Sequence, residues 1–213
     1  MTDTARRRGR PSGRTGTDLL STAREVFLER GFGGTTMDEV AARARISKAS
    51  LYREHPSKDA LFAAVVRDWA DAGRDAMRPH LDRLVAADDV RGGLADLAGV
   101  MRAGVLSPDV LNMRRLVTGE ARRLPEVAAG YLDASWERNV RALADALAAL
   151  AERGRLRIGD PAAAADQFTW LVLGAPLNRC LLTGTDGAGD AAPVADAVDL
   201  FLARYGPGVP QVS

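Results

Sequence analysis

The sequence contains few of the residues that build disulfides, metal sites or aromatic-rich sheets. The single cysteine, Cys180, cannot form an internal disulfide, and the two histidines, His55 and His80, belong to no metal-binding motif. Aromatic residues make up 5% of the chain, whereas alanine and leucine are abundant, which favours helix over strand. No apolar stretch reaches the ~18 residues that cross a bilayer. We therefore expect an all-α protein without metal, cofactor or membrane contact.

Signatures of export and of catalysis are also missing. The first residues, MTDTARRRGRPSGR, have no apolar core after the basic positions and do not form a signal peptide. Together with the lone cysteine, this predicts a cytoplasmic protein. The many Ala, Arg, Gly and Asp residues indicate a GC-rich bacterial genome. No nucleophile elbow, phosphate-cradling loop or dinucleotide fingerprint follows a strand, so an enzyme has no supporting motif and no catalytic residue is assigned.

Positive charge is concentrated at the start of the chain. Residues 1–60 carry 12 Lys and Arg against 8 Asp and Glu, and the remainder carries 17 against 20. Residues 1–15 are rich in Arg, Gly and Pro and have no apolar core, which predicts a disordered arm. Arg8-Gly9-Arg10-Pro11 resembles the core of an AT-hook, whose arginines enter a narrow minor groove. A solvated basic tail is the alternative interpretation.

Apolar periodicity and capping residues predict about nine helices. Gly31 is expected to end the first helix with a left-handed backbone, so that Phe32 folds back on Phe27. The helix that begins near Ser57 is expected to end at Pro79. The predicted spans are residues 17–30, 36–44, 48–53, 57–77, 88–105, 108–122, 125–153, 161–182 and 194–205.

The second and third of these helices form a helix-turn-helix. Thr36 and Glu39 fit a capping box, and Ser47 is a suitable N-cap for the helix that begins at Lys48. Arg45 lies at the corner between the two helices. The second helix of such a motif can enter the major groove of DNA.

Residues 17–65 resemble the N-terminal domain of TetR/AcrR-family transcriptional regulators. The residues that carry this resemblance are Phe27 with Gly31-Phe32, Thr35-Thr36, Ile46-Ser47-Lys48, Leu51-Tyr52 and Pro56-Ser57-Lys58-Asp59-Ala60-Leu61. More loosely, residues 113–182 resemble the C-terminal domain of the AefR-like subset. The resemblance implies a three-helix DNA-binding domain (16–62), a helical ligand-binding and dimerisation domain (63–206) and a short tail (207–213). It also implies a repressor that a small molecule releases from DNA.

Candidate DNA contacts lie in the arm, at helix N-termini and on the recognition helix. Lys48 can reach guanine and Ala49 a thymine methyl group, while the resemblance implies a phosphate contact for Tyr52. The full predicted set is Arg8, Arg10, Arg14, Thr36, Ser47, Lys48, Ala49, Ser50, Tyr52, Arg53 and Lys58.

Three residues depart from the family pattern. Arg45 stands where the corner usually has Gly, and a left-handed backbone there would cost about 1 kcal/mol. Glu54 replaces a phosphate-facing residue, and His55 replaces a buried Phe. We expect a weaker phosphate contact at 54 and a less stable DNA-binding domain.

The effector pocket is inferred from the class of protein, since ligand sites are mostly apolar with a few polar groups. Trp69 is interpreted as a packing residue, with a ligand contact as the alternative. Asn178 and Arg179 are either pocket or interface groups. The predicted ligand-binding residues are Met101, Arg102, Met113, Trp136, Trp170, Asn178 and Arg179.

The last two helices expose more apolar surface than one chain can cover, which predicts a two-fold homodimer through them. Two recognition helices would then read a palindromic operator on double-stranded DNA. The alternative is a helical module that binds RNA or another acidic partner without reading a DNA sequence.

Overall fold

A computed structural model describes residues 16–185 and 193–208, which contain helices and turns and no strand. This confirms the all-α class. The α-helices are α1 (Gly16–Gly34), α2 (Met37–Arg43), α3 (Lys48–Glu54), α4 (Lys58–Ala72), α5 (Arg78–Ala86), α6 (Val90–Val105), α7 (Pro108–Glu120), α8 (Pro125–Leu132), α9 (Arg138–Glu152), α10 (Pro161–Thr183) and α11 (Val194–Tyr205). The arm, part of the loop that follows Gly184, and most of the tail lie outside the described residues.

The chain divides into two compact units, Met1–Asp68 and Trp69–Ser213. This division and the predicted boundary between residues 62 and 63 both fall within α4. The first unit has a core of three aromatic rings. Phe27 stacks on Phe32 with centroids 5.9 Å apart, and Phe62 meets both rings edge-on. Gly31 has a φ of 68°, which breaks the helical backbone and confirms the predicted return of Phe32 onto Phe27.

The corner between α2 and α3 is a Schellman ending with a non-glycine residue in the left-handed position. Arg45 N–H donates to Ala42 O at 3.1 Å, and Ile46 N–H donates to Ala41 O at 3.0 Å. The φ of Arg45 is 57°, a positive value that no other non-glycine residue of the described ranges shares. The strain expected at this position is therefore present, because a Cβ makes the left-handed conformation unfavourable.

The long helix predicted over residues 57–77 is wrong in its last turn. Helix α4 ends at Ala72, because Gly73 weakens the helical preference. Turns closed by hydrogen bonds between residues three positions apart follow up to Arg78. Pro79 lies in the first turn of α5, an unpredicted helix, because proline needs no N–H donor there. Proline thus opens a helix at this point rather than ending one.

The predicted helix over 125–153 forms with an interruption. A π-helical turn, Asp133–Glu137, separates α8 from α9. Such a turn frees backbone carbonyls from the regular pattern. Ser135 Oγ donates to Tyr131 O at 2.5 Å, and Asn139 Nδ2 donates to Ser135 O at 2.9 Å. With α5 and this division, the described residues hold eleven α-helices where nine were predicted.

Helices α5, α6, α9, α10 and α11 form the core of the second unit. Phe168 of α10 contacts Phe201 of α11 with centroids 5.0 Å apart, and Tyr205 packs on Phe201. The Tyr205 hydroxyl donates to Gln167 Oε1 at 2.8 Å, which satisfies the polar end of a mostly buried ring. Helix α10 begins after the predicted N-cap, Asp160, whose Oδ1 accepts from Ala163 N–H at 3.0 Å.

Candidate nucleic-acid interface and effector cavity

The recognition helix α3 has one buried and one exposed side. Leu51 is fully buried, which anchors the helix in the first unit. Lys48, Ala49, Tyr52 and Arg53 are all exposed. Their spacing of i, i+1, i+4 and i+5 places them on the same side of the helix. Four of the five predicted contact residues of α3 therefore form a continuous outward surface, and the fifth, Ser50, is half-buried.

Two capping residues fix the helices that carry this surface. Thr36 Oγ1 accepts from Glu39 N–H at 3.2 Å, and Ser47 Oγ accepts from Ser50 N–H at 3.0 Å. Both caps agree with the sequence-based expectation. Ser47 Oγ also lies 3.0 Å from Ser50 Oγ. The two serines are thus positioned at the first turn of α3, where unpaired N–H groups favour an anion.

The capping box itself is incomplete. The Glu39 carboxylate, expected to reach back to Thr36 N–H, instead accepts from Arg43 at 3.1 Å and from Arg30 at 3.4 Å. Arg43 also donates to Glu29 at 2.6 Å, and this hydrogen bond lowers the pKa of Glu29. Basic side chains of α1 and α2 therefore compete with the backbone for Glu39.

The two lysines of the chain have different environments. Lys48 Nζ lies 2.5 Å from Asp38 Oδ2, and both side chains are exposed. Such a surface ion pair contributes at most about 1 kcal/mol and exchanges readily. Lys58 Nζ donates to Phe32 O at 2.8 Å and to Thr35 O at 3.0 Å. Its ammonium also lies 4.4 Å from the centroid of the Phe32 ring.

Lys58 is therefore held by the end of α1 and the loop that follows, contacts that its place in the sequence did not reveal. Its phosphate contact stays a prediction. The predicted contacts Arg8, Arg10 and Arg14 lie outside the described residues. Of the departures from the family pattern, Glu54 is exposed at the end of α3 and His55 is half-buried as its C-cap.

A cavity of about 400 Å³ lies in the second unit. Its volume is within the range of small-molecule sites, and its lining is mostly apolar. The residues that line it are Trp69, Ala70, Ala72, Gly73, Ala76, Met77, Leu81, Leu97, Val100, Met101, Gly104, Val105, Val110, Arg114, Tyr131, Ala134, Ser135, Trp136, Asn139, Val140, Leu143, Thr169 and Leu173.

Two of the seven predicted ligand-binding residues, Met101 and Trp136, line this cavity. Trp69, for which a ligand contact was the alternative interpretation, lines it as well. Met113 and Arg102 do not line the cavity and are buried elsewhere, and Arg102 Nε donates to Val172 O at 3.0 Å.

The remaining three predicted residues lie on the outer side of α10. Trp170 is 57% exposed, and Asn178 and Arg179 are exposed as well. Leu171 and Leu182 are exposed on the same helix. This apolar surface with two polar side chains resembles a protein interface more than a pocket wall.

Sequence reasoning missed the polar groups of the cavity. Tyr131, Ser135 and Asn139 recur every four residues along the predicted helix 125–153, a polar stripe that could have indicated a special face. No comparable pattern in the sequence distinguishes Arg114 or Thr169. Their positions in the cavity depend on how α7 and α10 pack, which the pattern of a single helix does not contain.

Residues 16–185 and 193–208 contain no group of three or more His, Cys, Asp or Glu side chains suited to a metal ion. None of the helices described is both long and apolar enough to span a membrane.

Comparisons with known families agree with this architecture. Residues 19–65 match the model described as bacterial regulatory proteins of the tetR family. Residues 92–207 match the C-terminal domain of AefR-like transcriptional repressors. The chain belongs to the TetR family of helix-turn-helix transcriptional regulators, with an AefR-like C-terminal domain, and this is a family of DNA-binding regulators and not of enzymes.

Among curated relatives, the transcriptional activator FasR of Mycolicibacterium smegmatis is 40% identical over 99 residues, which is 38% of this chain and 45% of that protein. The regulator RutR of Escherichia coli K12 is 42% identical over 53 residues, 25% of each chain. The chain thus spans less than half the length of these relatives.

Solved structures match over nearly the whole chain. A TetR-family regulator from Mesorhizobium loti MAFF303099 aligns with a TM-score of 0.82 at 28% identity, covering 91% of this chain and 100% of the other. The flavonoid-responsive regulator FrrA aligns with a TM-score of 0.68 at 28% identity, covering 90% and 97% of the two chains.

Proposed function

We propose that this protein is a homodimeric transcriptional repressor that acts in the bacterial cytoplasm. It binds a palindromic operator through α3 and leaves the DNA when a small molecule occupies the cavity of the second unit. The observation that carries this proposal is the exposed surface of Lys48, Ala49, Tyr52 and Arg53 on a helix capped by Ser47. Family membership supplies the class of function, and this surface supplies the residues.

The proposed DNA contacts divide into base-reading and phosphate-binding groups. Lys48 and Ala49 read base edges in the major groove, and Ser50 assists them from the first turn. Thr36, Ser47, Tyr52, Arg53 and the N-terminus of α4 at Lys58 bind phosphates and set the register. Arg8, Arg10 and Arg14 of the arm add minor-groove contacts, which strengthen binding without adding base-specific hydrogen bonds in the major groove.

Lys48 must exchange one partner for another when it binds DNA. The free protein pairs its ammonium with Asp38 at an exposed position. Because water already screens this pair, giving it up costs little compared with a charge-assisted hydrogen bond to guanine. Asp38 then lies near the DNA, and its negative charge opposes binding to the operator and to other sequences alike.

Dimerisation is proposed through α10 and α11. Leu171 and Leu182 of α10 and Leu200 of α11 are exposed by 40%, 78% and 62%, respectively. Burying such leucines against a second copy stabilises the pair by removing apolar area from water. A two-fold dimer also presents two copies of α3 to successive turns of DNA, which suits a palindrome.

Ligand control is proposed through α4. The end of this helix contributes Trp69, Ala70 and Ala72 to the cavity lining, while its first residue, Lys58, binds carbonyl groups of the first unit. A ligand that displaces Trp69 therefore acts on the helix that also carries Lys58. One relative of similar fold is named for its response to flavonoids, which supports a small-molecule effector here.

The test is a gel shift with the full-length protein on palindromic fragments from the DNA upstream of its own gene. At ~150 mM salt, where non-specific binding is weak, we expect retention of one fragment and not of its scrambled version. Equal retention of both, or of neither, would contradict the proposal.

Activation is a second candidate, because the relative FasR is named an activator. A reporter gene fused to the retained fragment separates the two. Deletion of the regulator raises reporter expression if the protein represses and lowers expression if it activates.

A further inference from the structure

The cavity has an uneven distribution of charge. Among its lining residues, all of which lie in the described part of the chain, Arg114 alone carries a formal charge, and no Asp or Glu is present. The other polar groups are the neutral side chains of Tyr131, Ser135, Asn139 and Thr169. The cavity therefore combines one cation, a few neutral hydrogen-bonding groups and an otherwise apolar wall.

Arg114 and Trp136 both line the cavity and contact each other. Its Cζ is 4.9 Å from the Trp136 ring centroid, a distance that gives a cation–π contact. Its Nε is buried and has no hydrogen-bond partner in residues 16–185 and 193–208. Desolvation lowers the pKa of Arg114, although an arginine stays charged under ordinary conditions.

Two other arginines of the second unit donate hydrogen bonds to backbone carbonyl groups. Arg115 donates to Asn112 Oδ1 at 2.9 Å and to Cys180 O at 2.7 Å. Arg102, fully enclosed, donates to Val172 O at 3.0 Å. Arg114 forms no ion pair within the described ranges, and its neighbour in space is an aromatic face.

Two further groups in the cavity can donate hydrogen bonds. Thr169 Oγ1 is buried and has no partner in the described ranges. Burial raises the pKa of Tyr131, and the nearby charge of Arg114 opposes this only in part, so the phenol stays protonated. A ligand oxygen near Arg114 thus meets a cation and a neutral O–H donor together.

A largely desolvated cation without a counter-charge is unfavourable, and an anionic partner with good geometry offsets that cost. We propose that the effector is an amphipathic molecule with a single carboxylate, which binds Arg114 while its apolar part fills the cavity. One cation balances one negative charge, so the additional charge of a dianion or polyphosphate would remain uncompensated in this cavity. This inference rests on the proposed function, because it names the ligand class of that same cavity.

The test uses two probes of equal length, decanoate and 1-decanol, titrated into the full-length protein without DNA. Trp69 and Trp136 line the cavity, so their fluorescence reports occupancy. We expect decanoate to bind at least about tenfold tighter, as charge-assisted hydrogen bonds are stronger than neutral ones. Equal affinity for the two probes, a preference for the alcohol, or binding of neither would overturn the proposal.

Substitutions test whether Arg114 causes the preference for decanoate over decanol. Arg114→Met should reduce the ratio of the two affinities to about twofold or less, and Arg114→Lys should keep most of it. Arg122→Gln removes the same charge from an exposed position outside the cavity and should change nothing. A preference that survives Arg114→Met would contradict the inference.

A milder variant guards against misfolding. Tyr131→Phe keeps the ring and removes the hydroxyl, so we expect decanoate affinity to fall by about threefold and decanol affinity to fall less, because a hydrogen bond to a carboxylate is stronger than one to an alcohol. Equal losses for both probes would count against a carboxylate near Tyr131.

Operator binding is measured separately, so a failure of the ligand proposal and a failure of the proposed function give different results. If a neutral molecule releases the operator and the protein binds decanoate no more tightly than decanol, only the proposed ligand class is wrong. If decanoate binds selectively and no DNA sequence is preferred, the proposed function is wrong and the cavity assignment stands.

Discussion

The two units of this protein place cationic side chains in opposite environments. In the first unit, Lys48 is exposed beside Asp38, and Arg43 is shared between Glu29 and Glu39 near the surface. In the second, Arg114 is largely desolvated beside an aromatic ring. An exposed cation can change partners at little cost, whereas a desolvated one is selective for a compensating charge. The first arrangement suits a long polyanion such as DNA, and the second suits one small ligand.

The largest expected effect concerns the separate cores of the units. Phe27→Ala removes a fully buried ring from the aromatic cluster of the first unit and should cost about 3–5 kcal/mol. We expect loss of operator binding with little change in decanoate binding. Phe168→Ala, in the core of the second unit, should weaken decanoate binding most. Tryptophan fluorescence measures decanoate binding, and anisotropy of labelled operator DNA measures DNA binding on the same samples. Loss of decanoate binding in Phe27→Ala would show that the second unit does not fold separately from the first.

The second-largest effect is expected at the proposed dimer interface. Leu182→Asp places a charge on the proposed contact surface of α10, so we expect monomers in light scattering and operator affinity at least about tenfold weaker. Leu132→Asp changes an equally apolar exposed residue of α8 and serves as the matched control. A dimer that persists in Leu182→Asp would place the interface elsewhere.

A smaller effect is expected at the helix-turn-helix corner. Arg45→Gly relieves the positive φ of 57° and should raise the free energy of unfolding by up to about 1 kcal/mol. Ala42→Gly, inside α2, should lower it by about the same amount, because glycine is a poor helix former. Urea denaturation of the full-length variants measures both changes. Destabilisation by Arg45→Gly would show that the Arg45 side chain contributes more than its backbone costs.

The smallest expected effect tests the exchange of Lys48 between partners. Asp38→Asn frees the lysine and removes a negative charge next to the DNA, so we expect operator affinity to rise about two- to fivefold at low salt. Asp82→Asn alters the net charge equally in the second unit and should have almost no effect. A decrease in affinity for Asp38→Asn would mean that the carboxylate orients Lys48 for binding.

The DNA-binding features of the first unit depend on local contacts and could therefore be predicted from the sequence. Thr36 and Ser47 act through backbone N–H groups three residues away, so local sequence identifies them. The outward side of α3 follows from helical spacing and one buried leucine. These features need no knowledge of the remaining chain.

The cavity depends on contacts that are distant in sequence. Met113 and Trp170 are apolar residues of predicted helices, as Met101 and Trp136 are, but Met113 is buried away from the cavity and Trp170 is exposed. Arg114 was not distinguishable from Arg115 by sequence, yet only Arg114 lines the cavity. Lys58 illustrates the same effect in the first unit, since its carbonyl partners lie more than twenty positions away.

The proposal that α3 reads a DNA sequence is tested by the ratio of operator affinity to scrambled-DNA affinity at ~150 mM salt. We expect a ratio of about a thousand or more for the wild-type protein. Lys48→Ala should lower this ratio by about tenfold or more, because a base-reading hydrogen bond is lost, whereas Arg83→Ala in the second unit should leave it unchanged. A wild-type ratio near one, or a ratio that Lys48→Ala does not change, would contradict the role assigned to this helix.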